Sequence, residues 1–257
     1  MSLWQAVFLG LIQGLTEFLP VSSSGHLVIF QNILGVETGT GVLFDVMVHA
    51  GTLAAVVVVF WVDIWNVIRK PNQKLTWLLF VGIIPAGLMG FFLEDFFTKM
   101  FSSVLVVGAA LLVTGAFLWY ADSIPRGGKG LNKLTTGQAL FIGLAQGLAI
   151  IPGLSRSGST ITAALAMGMD RESAARYSFL VSVPVIFGAT LLHVKDLFGA
   201  GVQGVPVMNY VAAMLVSAVS GYWAIKFLLK LLAVGRLKVF SIYVWALGLL
   251  VITVKLT

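Results

Sequence analysis

Residues 16–27, TEFLPVSSSGHL, interrupt an otherwise apolar stretch of the chain. The segments on either side, LWQAVFLGLIQGL and VIFQNILG, are typical of membrane helix, whereas this run contains a carboxylate, three serines, a proline and a histidine. Proline breaks helices, and serine is a favoured residue at the N-cap of a helix. The run therefore predicts a helix that breaks near Pro20 and a second helix that starts near Ser22–Ser24.

The composition of the whole chain is that of a multi-pass membrane protein. Of the 257 residues, 59% are hydrophobic and 10% are charged, against about 25% charged in soluble domains. The mean hydropathy is +1.01. The chain has no cysteine, which excludes disulfides, thiolate metal sites and thiol nucleophiles. The net charge of +6 does not predict a nucleic-acid partner, because basic residues of membrane proteins mark cytoplasmic loops.

Six apolar runs have close to the roughly 20 residues that a membrane helix needs. They are predicted as spans at 42–63, 76–93, 103–120, 177–194, 210–228 and 239–255. The connections between the spans alternate in charge, and basic residues concentrate in 64–75, 121–137 and 229–238. By the positive-inside rule, these three connections are predicted to be cytoplasmic.

Two further apolar segments, 3–30 and 138–169, do not fit this series of spans. The second lies between Lys133 and Arg171, both on the predicted cytoplasmic side, so it has to leave and return on the same face. Its 32 residues are too few for two full crossings, which need about 40. We predict a re-entrant helical hairpin for each segment, because broken backbone at membrane depth is tolerated where protein or a wet cavity covers it.

The two hairpin segments are copies of one another. AVFLGLIQGLTEFLPVSSSG (6–25) aligns without gaps on ALFIGLAQGLAIIPGLSRSG (139–158), with 10 of 20 positions identical. Each half then contains one hairpin and three spans, and an odd number of spans gives the halves opposite orientations. The predicted fold is an all-α integral membrane protein with an inverted-topology repeat, a single membrane domain (1–257) made of repeat 1 (1–125) and repeat 2 (135–257).

An inverted repeat brings its broken segments together near the middle of the membrane. Two helix N-termini would then meet, and such termini bind anions through free N–H groups and a positive dipole end. Arg156 adds a positive charge whose planar fork matches phosphate oxygens. We therefore expect a site for a phosphate-like or carboxylate group.

Three residues of the first hairpin, Glu17, Ser23 and His26, are candidate catalytic residues together with Arg156. An ionisable group at membrane depth is a functional candidate by default, although Glu17 and Arg156 could also form a purely structural ion pair. Serine needs a base in order to attack, and either Glu17 or His26 could serve. His26 could itself act as acid, base or nucleophile.

Other polar residues of the hairpins are predicted to bind the substrate, with helix capping as the alternative role for the serines. They are Gln13, Ser22, Ser24, Ser155 and Ser157. Asp45 and His49, four residues apart in the first full span, form a second polar face. That face either supports the site or is a structural pair.

Two motifs resemble those of a known family. QGLTEFLPVSSSGH (13–26) and PGLSRSGST (152–160) are similar to the two signature motifs of the bacterial undecaprenyl-diphosphate phosphatases, also known for bacitracin resistance. The resemblance extends over essentially the whole chain. It implies a multi-pass enzyme of the bacterial plasma membrane that removes the terminal phosphate from a C55 isoprenyl diphosphate and so regenerates the lipid carrier for cell-wall sugars. It also implies a site open to the extracytoplasmic side, where bacitracin would compete for the substrate.

The resemblance carries residue roles and a cofactor as well. By motif, Glu17, Ser23, His26 and Arg156 are the catalytic positions. Phosphate-binding support is implied for Ser22, Ser155 and Thr160. A divalent cation, Mg²⁺ or Ca²⁺, is implied as well, with Glu17 as its candidate ligand. The first motif position is often Glu in the family and is Gln13 here, which weakens a picture of two carboxylates that hold a metal. The first-step nucleophile stays open between Ser23, His26 and water, and the oligomeric state is open too, a homodimer included.

A second function remains open from the sequence. Inverted repeats with helices broken at the midplane are also typical of transporters, so a carrier or flippase for lipid phosphate could use the same site without cleaving its ligand. Chemical turnover in detergent, where no second compartment exists, separates these two functions. An unrelated phosphatase type with PSGH and SR…H motifs is disfavoured, because residues 157–170 lack the later histidine that it needs.

Overall fold

The computed structural model describes residues 1–36, 41–200 and 205–256, and twelve α-helices account for most of this part of the chain. In chain order they are α1 (Leu3–Phe18), α2 (Ser23–Ile33), α3 (Gly41–Val59), α4 (Trp61–Arg69), α5 (Lys74–Phe92), α6 (Glu94–Phe101), α7 (Val104–Ser123), α8 (Thr136–Leu148), α9 (Arg156–Ala166), α10 (Arg171–Ala200), α11 (Val207–Val234) and α12 (Lys238–Leu256). A short 3₁₀ helix, Leu131–Lys133, lies between α7 and α8.

The described helices agree with a multi-pass membrane protein. Five of them, α5, α7, α10, α11 and α12, are long and apolar enough to cross a membrane. A sixth span results if α3 and α4 are counted together, but this pair bends by 83° at its break. The span predicted at 42–63 is thus not one continuous helix, because α3 ends at Val59 and the chain bends into α4.

The chain turns there because α4 is amphipathic. Trp61 and Val62 are exposed, and the rings of Trp61 and Trp65 stack at 5.6 Å between centroids. On the polar side, Asp63 accepts hydrogen bonds from the guanidinium of Arg176 in α10, one of them from Nε at 3.0 Å. A short helix with an apolar face and an anchored polar face is typical of the membrane–water interface. Much of the predicted loop 64–75 is consequently helical.

Another predicted loop, 229–238, is also shorter than expected. Helix α11 continues to Val234 and ends on Gly235, whose backbone is left-handed (φ 80°). Glycine adopts this conformation without strain and is the usual residue just after a helix, where its N–H satisfies carbonyls of the last turn. The Gly235 N–H bonds the carbonyls of Leu231 and Leu232 at 3.0 and 3.1 Å. The apolar pattern predicted the span, but it did not predict that the helix continues to Val234 and ends at Gly235.

The helix breaks in the two copied segments occur where they were predicted. Helix α1 ends at Phe18 and α2 begins at Ser23, on either side of Pro20. Helix α8 ends at Leu148 and α9 begins at Arg156, on either side of Pro152. We call α1 with α2 the first hairpin and α8 with α9 the second hairpin, since the two helices of each pair contact one another.

The hairpins are held by the longer helices around them. Helix α1 packs along α11 so closely that a Cβ on Gly14 would lie 2.5 Å from the carbonyl oxygen of Ser217. Small residues permit such approach between membrane helices. The ring of Phe18 contacts Phe179 of α10 edge-on, with centroids 5.7 Å apart, and both side chains are buried. Helix α8 packs against α5 in turn, so both broken segments are fixed inside the helix bundle.

Candidate active site

The break of the first hairpin is organised by Ser22. Its side chain caps α2 and accepts a hydrogen bond from the Gly25 N–H at 3.2 Å, and its Oγ lies 3.3 Å from Ser24 Oγ. Ser22 has a positive φ of 70°, which non-glycine residues rarely adopt. The capping role that we weighed for the serines is thus present, and it orients the first turn of α2.

The break of the second hairpin repeats this arrangement. Ser155 caps α9 and accepts from the Gly158 N–H at 3.1 Å, with Ser157 Oγ 3.2 Å away. Thr114 of α7, which sequence reasoning missed, fixes the turn: its hydroxyl donates to the Gly153 carbonyl at 2.9 Å and accepts from the Ser155 N–H at 3.0 Å. A single threonine in an apolar helix usually bonds its own helix, so its sequence carried no signal for this contact.

The two breaks touch one another. Ser157 Oγ donates to the carbonyl of Leu19 at 3.2 Å, and a Cβ on Gly25 would lie 3.1 Å from the Cα of Gly153. The N-termini of α2 and α9 therefore meet at one place. Their first N–H groups have no partners within their own helices and create a positive potential there.

Glu17 joins the two hairpins at this place. One carboxylate oxygen accepts from Arg156 Nη2 at 2.9 Å, and the other accepts from Gln13 Nε2 at 2.9 Å and from Ser23 Oγ at 2.5 Å. Glu17 is 6% exposed. The ion pair weighed as a structural clamp is thus present, but Ser23 is hydrogen-bonded to the same carboxylate, which a clamp does not require.

Two buried polar atoms of this cluster have no hydrogen-bond partner within the described part of the chain. They are Arg156 Nη1 and Gln13 Oε1. Buried polar atoms are nearly always paired, so each exception needs an explanation. A donor on a guanidinium beside two helix N-termini fits an anionic ligand, and an amide oxygen fits a protonated phosphate oxygen or water.

Both ring nitrogens of His26 are hydrogen-bonded to groups other than the Ser23 hydroxyl. Its Nδ1 lies 2.7 Å from the carbonyl oxygen of Ser22, and its Nε2 lies 2.8 Å from the hydroxyl of Tyr243 in α12. A carbonyl only accepts, so Nδ1 carries the hydrogen and Nε2 accepts from the tyrosine. Of the two bases considered for Ser23, Glu17 is the one in contact with it.

The second polar face lies next to this cluster. His49 Nε2 is 3.9 Å from the Glu17 carboxylate, and His49 Nδ1 lies 2.7 Å from the backbone carbonyl of Asp45. The observed bond thus runs from the imidazole to the backbone of Asp45. His49 thus lies beside the candidate catalytic carboxylate, and its supporting role stays a prediction.

Thr160 faces the interior of the bundle. Its hydroxyl donates to the Arg156 carbonyl at 2.8 Å and lies 2.6 Å from Ser178 Oγ of α10. Ser157 is fully buried as well. These bonds hold the turn that carries Arg156, and a direct contact of either hydroxyl with substrate stays a prediction.

The donor set does not form a resident metal site. Both oxygens of Glu17 already accept hydrogen bonds, and Arg156 places a positive charge beside them. Ca²⁺ takes six to eight oxygen ligands, and Mg²⁺ usually one or two carboxylates with substrate phosphates. Across the described ranges, no group of three His, Asp or Glu residues is close enough to hold an ion.

Comparison with known proteins gives full-length matches. The family model described as bacitracin resistance protein BacA matches residues 6–250. The undecaprenyl-diphosphatase of Halothermothrix orenii is 48% identical over 254 residues, which cover 98% of each protein. That of Carboxydothermus hydrogenoformans is 44% identical over 257 residues, covering 99% of this chain and 98% of the relative. That of Alkaliphilus metalliredigens is 40% identical over the full length of both proteins.

Proposed function

This chain belongs to the bacitracin resistance protein BacA family, and we propose from this premise that it is an undecaprenyl-diphosphatase. It hydrolyses the terminal phosphate of a C55 isoprenyl diphosphate and yields undecaprenyl phosphate and inorganic phosphate. The observation that carries the proposal is the contact of Ser23 Oγ with Glu17 at 2.5 Å, with Arg156 on the other carboxylate oxygen. A nucleophile, its base and an anion-binding cation thus share one buried site.

The diphosphate binds between the two helix N-termini. Arg156 Nη1, which has no protein partner in the described residues, donates to a phosphate oxygen. The N-termini of α2 and α9 meet at this place, and their free N–H groups stabilise the negative charge that develops during transfer. Ser22 and Ser155 keep both turns in the geometry that this requires.

Ser23 attacks the terminal phosphorus in the first step. A bond forms between Ser23 Oγ and phosphorus, the bridging P–O bond breaks, and undecaprenyl phosphate leaves. Glu17 takes the proton of Ser23, because its carboxylate already accepts that hydrogen bond. Glu17 passes this proton to the departing phosphate group and is a carboxylate again. In the second step, water attacks the phosphoserine and Glu17 accepts a proton from this water. The bond between phosphorus and Ser23 Oγ breaks, inorganic phosphate leaves, and Glu17 returns the proton to Ser23 Oγ. Attack by His26 is disfavoured in this arrangement, since both ring nitrogens are already bonded.

The divalent cation remains a proposal based on the family resemblance. Because both oxygens of Glu17 already accept hydrogen bonds and Gln13 stands in place of a second carboxylate, the protein offers little to an ion on its own. We infer that Mg²⁺ or Ca²⁺ arrives with the diphosphate of the substrate, whose oxygens are its preferred ligands. No step above depends on it.

We also infer that the fold is an inverted repeat with two re-entrant hairpins, repeat 1 in 1–125 and repeat 2 in 135–257. Equivalent bonds 133 residues apart support it. Gln5 Nε2 donates to the Leu34 carbonyl, and Gln138 Nε2 donates to the Met167 carbonyl, each at 3.2 Å. Ser2 and Thr135 likewise start α1 and α8 with the same reciprocal capping arrangement.

The charge pattern supports a site open to the extracytoplasmic side. The basic residues Arg69, Lys70 and Lys74 follow the α3–α4 span, so they mark its cytoplasmic end. The other end of that span adjoins the first hairpin, and a re-entrant hairpin has both ends on one face. The first hairpin would therefore open to the outside of the bacterial plasma membrane, where bacitracin would reach the same substrate.

The test is phosphate release from C55 isoprenyl diphosphate by purified protein in detergent. Wild type, Arg156→Ala and, as a control, Arg126→Ala are compared with Mg²⁺, with Ca²⁺ and with EDTA. Arg126 is exposed in the α7–α8 connection. We expect turnover by wild type and the control and a loss of about a hundredfold or more in Arg156→Ala, because one transition-state donor is typically worth that much.

Absence of turnover in folded wild type supplied with a cation would overturn the phosphatase proposal. The same buried site would then serve a lipid-phosphate carrier, which binds its ligand without cleaving it. Binding of the lipid diphosphate that is lost in Arg156→Ala, without phosphate release, would identify that outcome.

A further inference from the structure

Helix α12 reaches the candidate active site through one side chain. The ring of Tyr243 stacks on His26 with centroids 5.7 Å apart and planes 16° from parallel, and its hydroxyl lies 2.8 Å from His26 Nε2. His26 is 1% exposed, whereas Tyr243 is 47% exposed. Nothing in the two sequence motifs indicated this residue, which lies 217 positions away from His26.

The Ser22 carbonyl fixes which nitrogen of His26 carries the hydrogen. Nδ1 faces the Ser22 carbonyl, which can only accept, so the Tyr243 hydroxyl donates to Nε2. The partner of one ring nitrogen sets the state and orientation of the other. Tyr243 thus bonds the remaining nitrogen and holds the orientation of the imidazole, while the Ser22 carbonyl keeps the hydrogen on Nδ1.

This imidazole in turn holds the turn that presents Ser23. The Ser22 carbonyl accepts from His26 Nδ1 at 2.7 Å and from the His26 backbone N–H at 3.2 Å. Ser22 itself has the unfavourable φ of 70°. A residue in such a backbone conformation persists only where its surroundings fix it. A chain of contacts therefore leads from Tyr243 through His26 and Ser22 to the neighbouring Ser23.

We propose that Tyr243 is a positioning residue for the phosphatase reaction, which holds the serine-bearing turn of the first hairpin through His26. The proposal rests on the proposed function for its kinetic readout, but its structural readout needs no substrate. Tyr243 also keeps His26 Nε2 occupied, so that Glu17 alone serves Ser23 as a base.

The first test is Tyr243→Phe, with Tyr120→Phe as the matched control. Phenylalanine keeps the ring on the imidazole and removes only the hydroxyl, and Tyr120 is an exposed tyrosine of α7. We expect kcat of Tyr243→Phe to fall about tenfold, the equivalent of one hydrogen bond, with little change in KM. Tyr120→Phe should match wild type in both constants.

A double-mutant cycle decides whether Tyr243 acts through His26. In a His26→Ala background, the further change Tyr243→Phe should have no additional effect on kcat, because the contact it removes is already gone. A full tenfold loss in that background would show that Tyr243 acts elsewhere and would overturn the proposal. An unchanged kcat for Tyr243→Phe alone would overturn it as well.

Nitrogen NMR of the imidazoles provides the readout without substrate. The chain has three histidines, and a His26→Ala spectrum identifies the signal of residue 26. We expect His26 to carry its hydrogen on Nδ1 in wild type and in both tyrosine variants. The signal of its Nε2 should shift in Tyr243→Phe and not in Tyr120→Phe, because that nitrogen loses its hydrogen-bond donor. An unchanged His26 signal in Tyr243→Phe would refute the positioning role even if no phosphatase activity were detectable in any variant.

Discussion

The two hairpins interrupt their helices with equivalent hydrogen bonds, but they carry different functional side chains beside the interruption. Their caps correspond: Ser22 and Ser155 each accept from a glycine N–H three residues on. The chemical groups do not correspond, for the sequence aligns Glu17 with Ile150, Ser23 with Arg156 and His26 with Ser159. The first hairpin thus brings the carboxylate, hydroxyl and imidazole, and the second brings the positive charge.

This difference shows which positions a helix break constrains. The cap serine and the glycine that donates to it satisfy backbone groups that would otherwise be unpaired inside the membrane. Ser23 and Arg156 follow their caps directly, and neither is needed to end or start a helix. One pair of matched positions could therefore carry a nucleophile in one hairpin and a phosphate-binding cation in the other.

The largest expected effect is at Ser23, which the sequence aligns with Arg156 of the second hairpin. Ser23→Ala removes the proposed nucleophile, and we expect kcat to fall by about a thousandfold or more, as for other enzymes that lose one member of a catalytic unit. The measurement is phosphate release from the C55 isoprenyl diphosphate in detergent. Ser123→Ala, which changes an exposed serine at the end of α7, serves as the control and should retain wild-type turnover.

Ser23→Ala with most of its turnover intact would end the serine mechanism. The reaction would then be direct attack by water on the phosphorus, with Glu17 as its base. Trapping of a phosphorylated serine in wild type, absent in Ser23→Ala, would distinguish the two mechanisms independently of the rates.

Two matched glycines should differ in their effect on stability. A Cβ on Gly14 would lie 2.5 Å from the Ser217 carbonyl and 2.9 Å from the Gly221 nitrogen, both of them backbone. A Cβ on Gly147 would first meet the side chain of Met89, which is flexible. We expect Gly14→Ala to destabilise the protein by about 1–3 kcal/mol and Gly147→Ala to be nearly neutral.

Thermal unfolding of both variants in the same detergent checks this difference. Equal losses would mean that α8 is held against α5 as rigidly as α1 is held against α11. Activity at low temperature provides the control, since Gly147→Ala should remain active when folded.

The smallest expected effect concerns the caps. Ser22→Gly loses a capping side chain but relieves the positive φ of 70°, whereas Ser155→Gly loses a cap at an ordinary φ of −75°. Cap loss to glycine amounts to a few tenths of a kcal/mol, and relief of the strained backbone to about 1 kcal/mol. We therefore expect Ser22→Gly to be the more stable variant by about 1 kcal/mol in unfolding experiments. The reverse order would show that the Ser22 side chain contributes more than a cap.

The helices, the helix breaks and the grouping of Glu17, Ser23 and Arg156 could be predicted from the sequence, because each of these features leaves a local pattern. Proline followed by serines predicted both breaks, and the copied segment linked Arg156 to the first hairpin. The bend after Val59 was not predicted, because α3 and α4 form one apolar run in the sequence. Only the spacing of polar residues in α4 distinguishes an interfacial helix from the end of a membrane span. A helix of nine residues contains too few polar positions to establish that spacing from the sequence.

The contacts of Thr114 and Tyr243 were not predicted from the sequence for a different reason. Both residues come from distant spans and reach the hairpins through the hydrogen bonds of one hydroxyl group each. A threonine or tyrosine in a membrane helix has common alternative roles, in bonding its own helix or in anchoring at the interface. Tertiary packing alone decides between these roles, and one sequence does not encode that packing locally.

The ion pair between Glu17 and Arg156 has a consequence for how the protein is made. The two residues lie 139 positions apart, so at about 5–20 residues per second the ribosome adds the arginine some ten seconds after the glutamate. A lone carboxylate is costly in lipid, so we expect the nascent first hairpin to stay at the membrane–water interface during that interval. On this expectation, its entry into the bundle waits for the second hairpin, and the site assembles late in membrane insertion.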